Sequence, residues 1–96
     1  MDVRRLRLLV ELARLGSMRE VSDELGLTTS TVSHQIATLA REAGATLVEP
    51  DGRRIRLTPA GRRLADHAVA ILAAVAGIVA AAVHSMTIIA ATAPRR

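Results

Sequence analysis

Residues 17–40 read SMREVSDELGLTTSTVSHQIATLA, and this stretch carries the signals that decide the fold. Ser17 followed by Glu20 forms a capping box, in which the serine hydroxyl accepts from an orphan amide and the glutamate reaches back. The box predicts a short helix over Met18–Leu25. Gly26 then ends that helix, because glycine readily takes the positive φ of a helix terminus.

The segment after this glycine predicts a second helix. Thr28 is the expected N-cap, and Val32, Ile36, Leu39 and Ala43 fall on one apolar face. Two short helices joined by a glycine-bearing turn form the helix-turn-helix arrangement. This periodicity alone fits any small helical bundle. The flanking segments therefore have to show whether the fold is a helix-turn-helix.

Another helix is predicted before the capping box, over residues 3–15. Val3, Leu6, Val10 and Ala13 share one face, and Gly16 supplies the stop.

A basic hairpin is predicted after the two helices. Strand-forming residues at 46–49 and 53–57 flank a turn at 50–52, which reads Pro-Asp-Gly. In the second strand Ile55 and Leu57 point one way, and the intervening arginines point the other. Three helices followed by such a hairpin make a mainly α, winged helix-turn-helix fold.

The composition narrows the classes of function. The 96 residues support one small domain, and thirteen arginines against nine carboxylates give a net charge of +4. This charge favours a polyanionic partner, either DNA or an anionic membrane. The chain has no cysteine, lysine or aromatic residue, which excludes thiolate metal sites, lysine chemistry and base-stacking platforms. No catalytic motif occurs, and the three histidines lack metal-ligand spacing. We therefore predict no enzyme, no metal and no cofactor.

Residues 6–65 resemble the N-terminal DNA-binding domain of LysR-type transcriptional regulators. The resemblance rests on DVRRLRLLVELARLGSM at 2–18, LGLTTSTVSHQIATLAREAGATL at 25–47 and, most specifically, GRRIRLTPAG at 52–61. It implies a winged helix-turn-helix at 1–58, a linker helix at 59–84, and a cytoplasmic, sequence-specific regulator of transcription bound to double-stranded DNA.

The sequence departs from the family pattern at several positions. Thr28-Thr29-Ser30 stand where the family usually has Ser-Gln-Pro, and His34 stands where it has arginine. Leu9 and Val48 replace aromatic residues, and Pro50 replaces a basic residue entering the wing. We expect these changes to alter the DNA target and to leave the fold intact.

The DNA-contacting residues are predicted from their place on the recognition helix and the wing. Hydroxyls discriminate less among bases than bidentate side chains do, and arginines bridge phosphates or enter a narrow minor groove. The alternative for each of these residues is that it is an exposed polar or basic side chain without a role. Near the N-terminus, Arg4 and Arg5 either contact the DNA backbone or are merely exposed. The predicted contacts are Thr29, Ser30, Thr31, Ser33, His34, Gln35, Arg53, Arg54 and Arg56.

The last predicted helix carries two adjacent apolar stripes, one starting at Leu64 and one at Ala65, each with coiled-coil spacing. We expect one stripe to pair with a second chain and the other to pack on the first helix or on a missing domain. A homodimer, or a tetramer, on a roughly palindromic site follows. The predicted dimerisation residues are Leu64, Ala68, Ile71, Leu72, Val75, Ile78, Val79 and Ala82.

Residues 85–96 form a tail whose segment MTIIAA, at 86–91, looks like the first strand of an effector domain cut off after Arg96. By the resemblance, a small-molecule effector would act only through that domain, which is absent from this chain. A fragment of a longer protein and a naturally short protein both fit.

Two other classes of function stay open. One is a DNA-binding protein without sequence preference. The other is a protein-interaction or membrane-associated module built on the last helix. Ala68–Val83 is an apolar run of sixteen residues, whereas a membrane span needs about twenty, so we expect no membrane partner.

Overall fold

The computed structural model describes the backbone of residues 2–92 and the side chains of residues 2–87. It has the predicted architecture, a mainly helical winged helix-turn-helix followed by one long helix. The elements, in chain order, are α1 (Val3–Leu15), α2 (Met18–Leu25), α3 (Thr29–Ala43), β1 (Val48–Asp51), β2 (Arg54–Leu57) and α4 (Pro59–Thr92).

The helix ends are set by local side chains, as predicted. The Ser17 hydroxyl accepts from the Glu20 backbone N–H at 3.2 Å, and Thr28 caps α3. Gly26 ends α2 with a φ of 67°. The return half of the capping box differs from the prediction, because the Glu20 carboxylate lies 3.7 Å from Arg54 Nη2. A cation held nearby by the wing competes for this carboxylate.

The core lies where α1 meets α2, α3 and α4. Its fully buried larger side chains are Leu9, Leu12, Val21, Val32, Leu39 and Leu47. The predicted inner face of α1 was wrong in part: Val3 is 42% exposed and Ala13 is exposed. Because α1 packs against three other helices, its buried side includes leucines outside the single predicted stripe.

The last turn of α3 also departs from the prediction. Ala43 is exposed, and Ala40 packs half-buried against the core instead. The reason is that α3 extends beyond the elements that cover its middle.

The wing is an antiparallel hairpin in which Val48 pairs with Leu57 and Asp51 with Arg54. The loop therefore consists of Gly52, at a φ of 63°, and Arg53. Pro50 lies in β1 rather than in the predicted turn. Glycine at the first position suits a two-residue hairpin loop. Proline is tolerated because both strands of a two-stranded sheet are edges.

A close backbone approach joins the wing to α4. The Thr58 N–H donates to the Leu47 carbonyl at 3.0 Å, and the Thr58 hydroxyl donates to the Thr46 carbonyl at 2.6 Å. The same hydroxyl accepts from the Gly61 N–H at 3.0 Å and so caps α4. A Cβ on Gly61 would lie only 2.1 Å from the Leu47 oxygen, so this position has to be glycine.

Helix α4 packs on the domain only along its first part. Gly61, Ala65 and Ala68 are buried, Leu72 is half-buried, and every later side chain through residue 87 is exposed. The two predicted stripes therefore do not divide as expected, since both contribute to the contact with the domain. Ala68, predicted to contact a second chain, is fully buried in its own domain and is not available for that contact.

The predicted tail was wrong for its described part. Residues 86–91 are helical and not a strand, and α4 continues past residue 84 to Thr92. Alanines are strong helix formers and no proline or glycine interrupts residues 78–92, so the helical hydrogen bonds simply continue. Residues 93–96 lie outside the described part of the chain.

By length and composition, α4 also meets the criteria for a membrane-crossing helix. Within Pro59–Thr87 the most apolar window of 18 residues has a mean hydropathy of 2.2, and this window is not buried within the chain.

We predict that Gly61→Ala lowers the free energy of unfolding by about 1–3 kcal/mol, because the new methyl group overlaps a backbone oxygen that cannot move aside. Gly77→Ala is the matched control, since nothing lies within 4 Å of its added Cβ. The control should stabilise the chain by about 0.5–1 kcal/mol through helix propensity. Urea denaturation followed by circular dichroism measures both, and equal stability of the two variants would contradict the prediction.

Candidate nucleic-acid interface

The outer face of α3 presents a row of small polar side chains. Thr29, Ser30, Ser33 and His34 are exposed and line a shallow groove with Met18 of α2. Among residues 2–87, none of the four polar side chains has a hydrogen-bond partner. Their donors and acceptors are therefore available to an external ligand.

Two other predicted contact residues lie on the flank of α3 instead. The Thr31 hydroxyl accepts from the Thr28 hydroxyl at 2.9 Å, which ties it to the helix cap. Gln35 is half-buried, and its Oε1 accepts from Arg5 Nε at 2.6 Å. The structure therefore separates these two side chains from the outer row.

The three wing arginines have different surroundings. Arg56 Nε donates to Glu49 Oε1 at 2.8 Å across the hairpin, and this hydrogen bond raises the pKa of Arg56. Arg54 Nη2 donates to the Leu15 carbonyl. Arg53, in the exposed loop, has no ion-pair partner within the described residues. Of the three predicted cations, Arg53 is thus the one without an internal partner.

Arg54 docks the wing against the turn between α1 and α2. Beside its bond to the Leu15 carbonyl, the Ile55 N–H donates to the Gly16 carbonyl at 3.1 Å. A Cβ on Gly16 would lie 3.2 Å from Arg54 Nη2, so glycine leaves room for the guanidinium. These contacts fix the wing relative to the helix-turn-helix.

A basic cleft lies at the start of α1, and sequence reasoning recognised only part of it. Arg4, Arg5 and Arg7 line a cavity of about 360 Å³ together with the α3 flank residues Thr31 and Gln35. The i, i+3 spacing of Arg4 and Arg7 was the available signal, because it places both on one helix face. The flank of α3 that completes the cleft could not be read from the sequence.

Asp2 caps α1 at the edge of this cleft. Its carboxylate accepts from the Arg4 backbone N–H at 2.9 Å and from the Arg4 guanidinium at 3.2 Å. The backbone hydrogen bond first, and then the side-chain one, hold the pKa of Asp2 below its usual value. Asp2 therefore stays ionised and offsets part of the positive charge.

No group of three or more potential metal ligands is found within residues 2–87.

An exposed polar face on the third helix, with a hairpin docked beside it, defines a winged helix-turn-helix protein. The family described as bacterial regulatory helix-turn-helix proteins of the lysR family matches residues 3–62. This chain belongs to that family, as its sequence motifs predict.

Curated relatives support the same assignment. The chain is 44% identical over 63 residues to the uncharacterized HTH-type transcriptional regulator y4mQ of Sinorhizobium fredii, covering 66% of this chain and 21% of that protein. It is 39% identical over 77 residues to a probable hydrogen peroxide-inducible genes activator of Mycobacterium xenopi, covering 80% and 41%. The chain thus spans less than half the length of either relative.

Solved structures match nearly the whole chain. The BenM_DBD/catB site 1 DNA complex has a TM-score of 0.80 and 29% identity, covering 99% of this chain and 100% of that one. The CbnR_DBD–DNA complex has a TM-score of 0.79 and 26% identity, covering 91% and 99%.

We predict that Arg54→Ala lowers the free energy of unfolding by about 1 kcal/mol, because it removes a charged donor from a backbone carbonyl at a partly exposed site. Arg53→Ala is the control, a neighbouring arginine without such a partner, and should change stability by less than about 0.5 kcal/mol. Thermal unfolding of the two variants checks the difference. If both variants unfold together with the parent chain, Arg54 does not hold the wing.

Proposed function

We propose that this chain is the DNA-binding part of a LysR-type transcriptional regulator that recognises specific double-stranded DNA in the bacterial cytoplasm. The observation that carries the proposal is the row of unpartnered polar side chains on the exposed face of α3, beside a wing fixed to the same domain. The two DNA complexes, similar over at least 91% of this chain, support it.

In this proposal α3 enters the major groove, as the second helix of a helix-turn-helix does. Base edges there are contacted by the hydroxyls of Thr29, Ser30 and Ser33 and by the imidazole of His34. A hydroxyl can hydrogen-bond to several different bases, so the histidine adds discrimination among them. Arg53 neutralises a backbone phosphate or enters the minor groove.

The flank residues and the paired wing arginines take other parts. Thr31 and Gln35 are placed toward the DNA backbone, because they lie beside the outer row of α3 and not within it. Arg54 and Arg56 act chiefly by holding the wing in place.

We further propose that α4 pairs with a second copy of the chain. The face of α4 that packs on the domain continues beyond Leu72 as Val75, Val79, Val83 and Met86, which are 44–69% exposed. An apolar face of this length is rare on a soluble monomer. A two-fold pair would cover it and present two α3 helices to a roughly palindromic site.

The membrane-associated module remains the second candidate, favoured by the length and hydropathy of α4. In that case α4 would insert into lipid.

We predict that His34→Ala and Arg53→Ala affect DNA binding in different ways. His34→Ala should weaken binding to the preferred site by about 1–3 kcal/mol and reduce the preference over scrambled DNA, because a base contact is lost. Arg53→Ala should weaken binding to both DNAs alike and reduce the salt slope by about 0.9 per chain, because a phosphate contact is lost.

Fluorescence anisotropy measures both effects, using DNA from upstream of the chain's own gene and a scrambled duplex at about 50–200 mM salt. Equal binding of the parent chain to the two duplexes would favour a DNA-binding protein without sequence preference. If neither substitution changes binding while the parent chain does bind, the DNA-contacting face is placed wrongly.

We predict that Val79→Glu converts a dimer into a monomer, because it places a carboxylate in the apolar face of the proposed pair. Ala81→Glu is the matched control. It adds the same charge two residues away, which is about 200° around the helix, and should leave the dimer intact.

Sedimentation velocity of the three chains at equal concentration decides the matter. A monomeric parent chain would contradict the proposed pairing, and a parent chain that stays with the membrane fraction would favour the membrane-associated module.

A further inference from the structure

The basic cleft at the start of α1 lies on the shoulder of α3 away from Met18. An α-helix turns about 100° per residue, so Thr31 and Gln35 lie beside the Ser30 and His34 edge of the outer row. Met18 borders the other edge, where Ser33 and Ala37 lie. The outer face of α3 is therefore flanked by the cleft on one side and by the start of α2 on the other.

The three arginines of the cleft differ in how far they are neutralised. Arg4 is paired with Asp2 at 3.2 Å, and Arg5 with Glu42 at 2.8 Å. Arg7 is exposed and has no ion-pair or hydrogen-bond partner among residues 2–87. The cleft therefore keeps an uncompensated positive charge at Arg7.

Arg5 controls how Gln35 faces the cleft. Its Nε donates to Gln35 Oε1 at 2.6 Å, so the acceptor end of the amide is occupied. The amide nitrogen, which can only donate, is the end left for a ligand. The Thr31 hydroxyl, which already accepts from Thr28, likewise has its own proton to donate. The Gln35 amide nitrogen and the Arg7 guanidinium are donors without an internal partner, and the Asp2 carboxylate that also lines the cleft is paired with Arg4, so the cleft favours an anion.

The geometry points to a DNA backbone phosphate as that anion. A helix in the major groove has a sugar-phosphate strand along each side, and contacts to phosphates set its register. The wing and the start of α2 serve one side of α3, and the cleft lies on the other. We propose that Arg7 and the Gln35 amide bind a phosphate of the second strand, with Arg5 as the positioning residue; this inference rests on the proposed function.

The test compares salt slopes of DNA binding. Arg7→Ala should reduce the slope of log Kobs against log salt by about 0.9 per bound chain, and the ratio of preferred to scrambled DNA should stay unchanged. Arg63→Ala, which removes an exposed arginine from the first turn of α4, is the control and should leave the slope unchanged. Thermal unfolding should show that both variants remain folded.

A second variant tests the amide. Gln35→Glu keeps an acceptor for Arg5 but places a carboxylate against the phosphate, so it should weaken DNA binding without loss of folding. Gln35→Ala should weaken it less, because it removes a donor without adding a negative charge. The reverse order would overturn the role of the amide.

The outcomes separate this inference from the proposed function. If the parent chain binds no duplex, the proposed function fails and the inference fails with it. If the parent chain binds DNA and Arg7→Ala behaves like Arg63→Ala, only the cleft is wrongly assigned.

A third arm titrates inorganic phosphate into the isotope-labelled chain. Chemical-shift changes confined to the cleft, with an unchanged salt slope in Arg7→Ala, would make it a site for a free anion and overturn the DNA assignment.

Discussion

The backbone contact between Gly61 and the Leu47 carbonyl is the constraint on which the rest of the structure depends. Leu47 is fully buried just before the wing, and its carbonyl also accepts from Thr58 at the wing's exit. One oxygen therefore joins the end of the helix-turn-helix, both ends of the hairpin and the first turn of α4. Only glycine allows α4 to begin so close, and the packing of Ala65 and Ala68 on the domain follows from that start.

Charge pairing decides which arginines can serve a ligand. Most of the described carboxylates are engaged by arginines within the domain, including Glu49 by Arg56 and Glu11 by Arg14. Such surface pairs contribute little stability each, but each occupies part of a guanidinium group. The positive charge available for DNA therefore lies on the arginines outside these pairs. Among the described residues these are Arg53 at the tip of the wing, Arg7 at the start of α1, and the exposed Arg19, Arg41, Arg62 and Arg63.

Helix α4 carries an apolar face that extends beyond the domain. Its first part is fixed by contact with α1, and its second part extends beyond the domain with valines and isoleucines exposed. Because one continuous helix carries both parts, the direction of the uncovered face is set by the domain itself. A second copy bound to that face would hold the two α3 helices at a defined separation.

The sequence by itself determined the elements and most of their ends, because a cap such as Ser17 or Thr28 and a stop such as Gly26 act within a few residues. It also determined the alternation of the second strand and the outer row of α3. The tertiary structure alone decided the inner face of α1, the partners of Arg54 and Arg56, and the joining of Arg7 to Gln35 in one cleft. It also decided that Ala68 faces its own domain. These depend on contacts between residues far apart in the chain, and periodicity along one helix carries no information about which neighbour covers it.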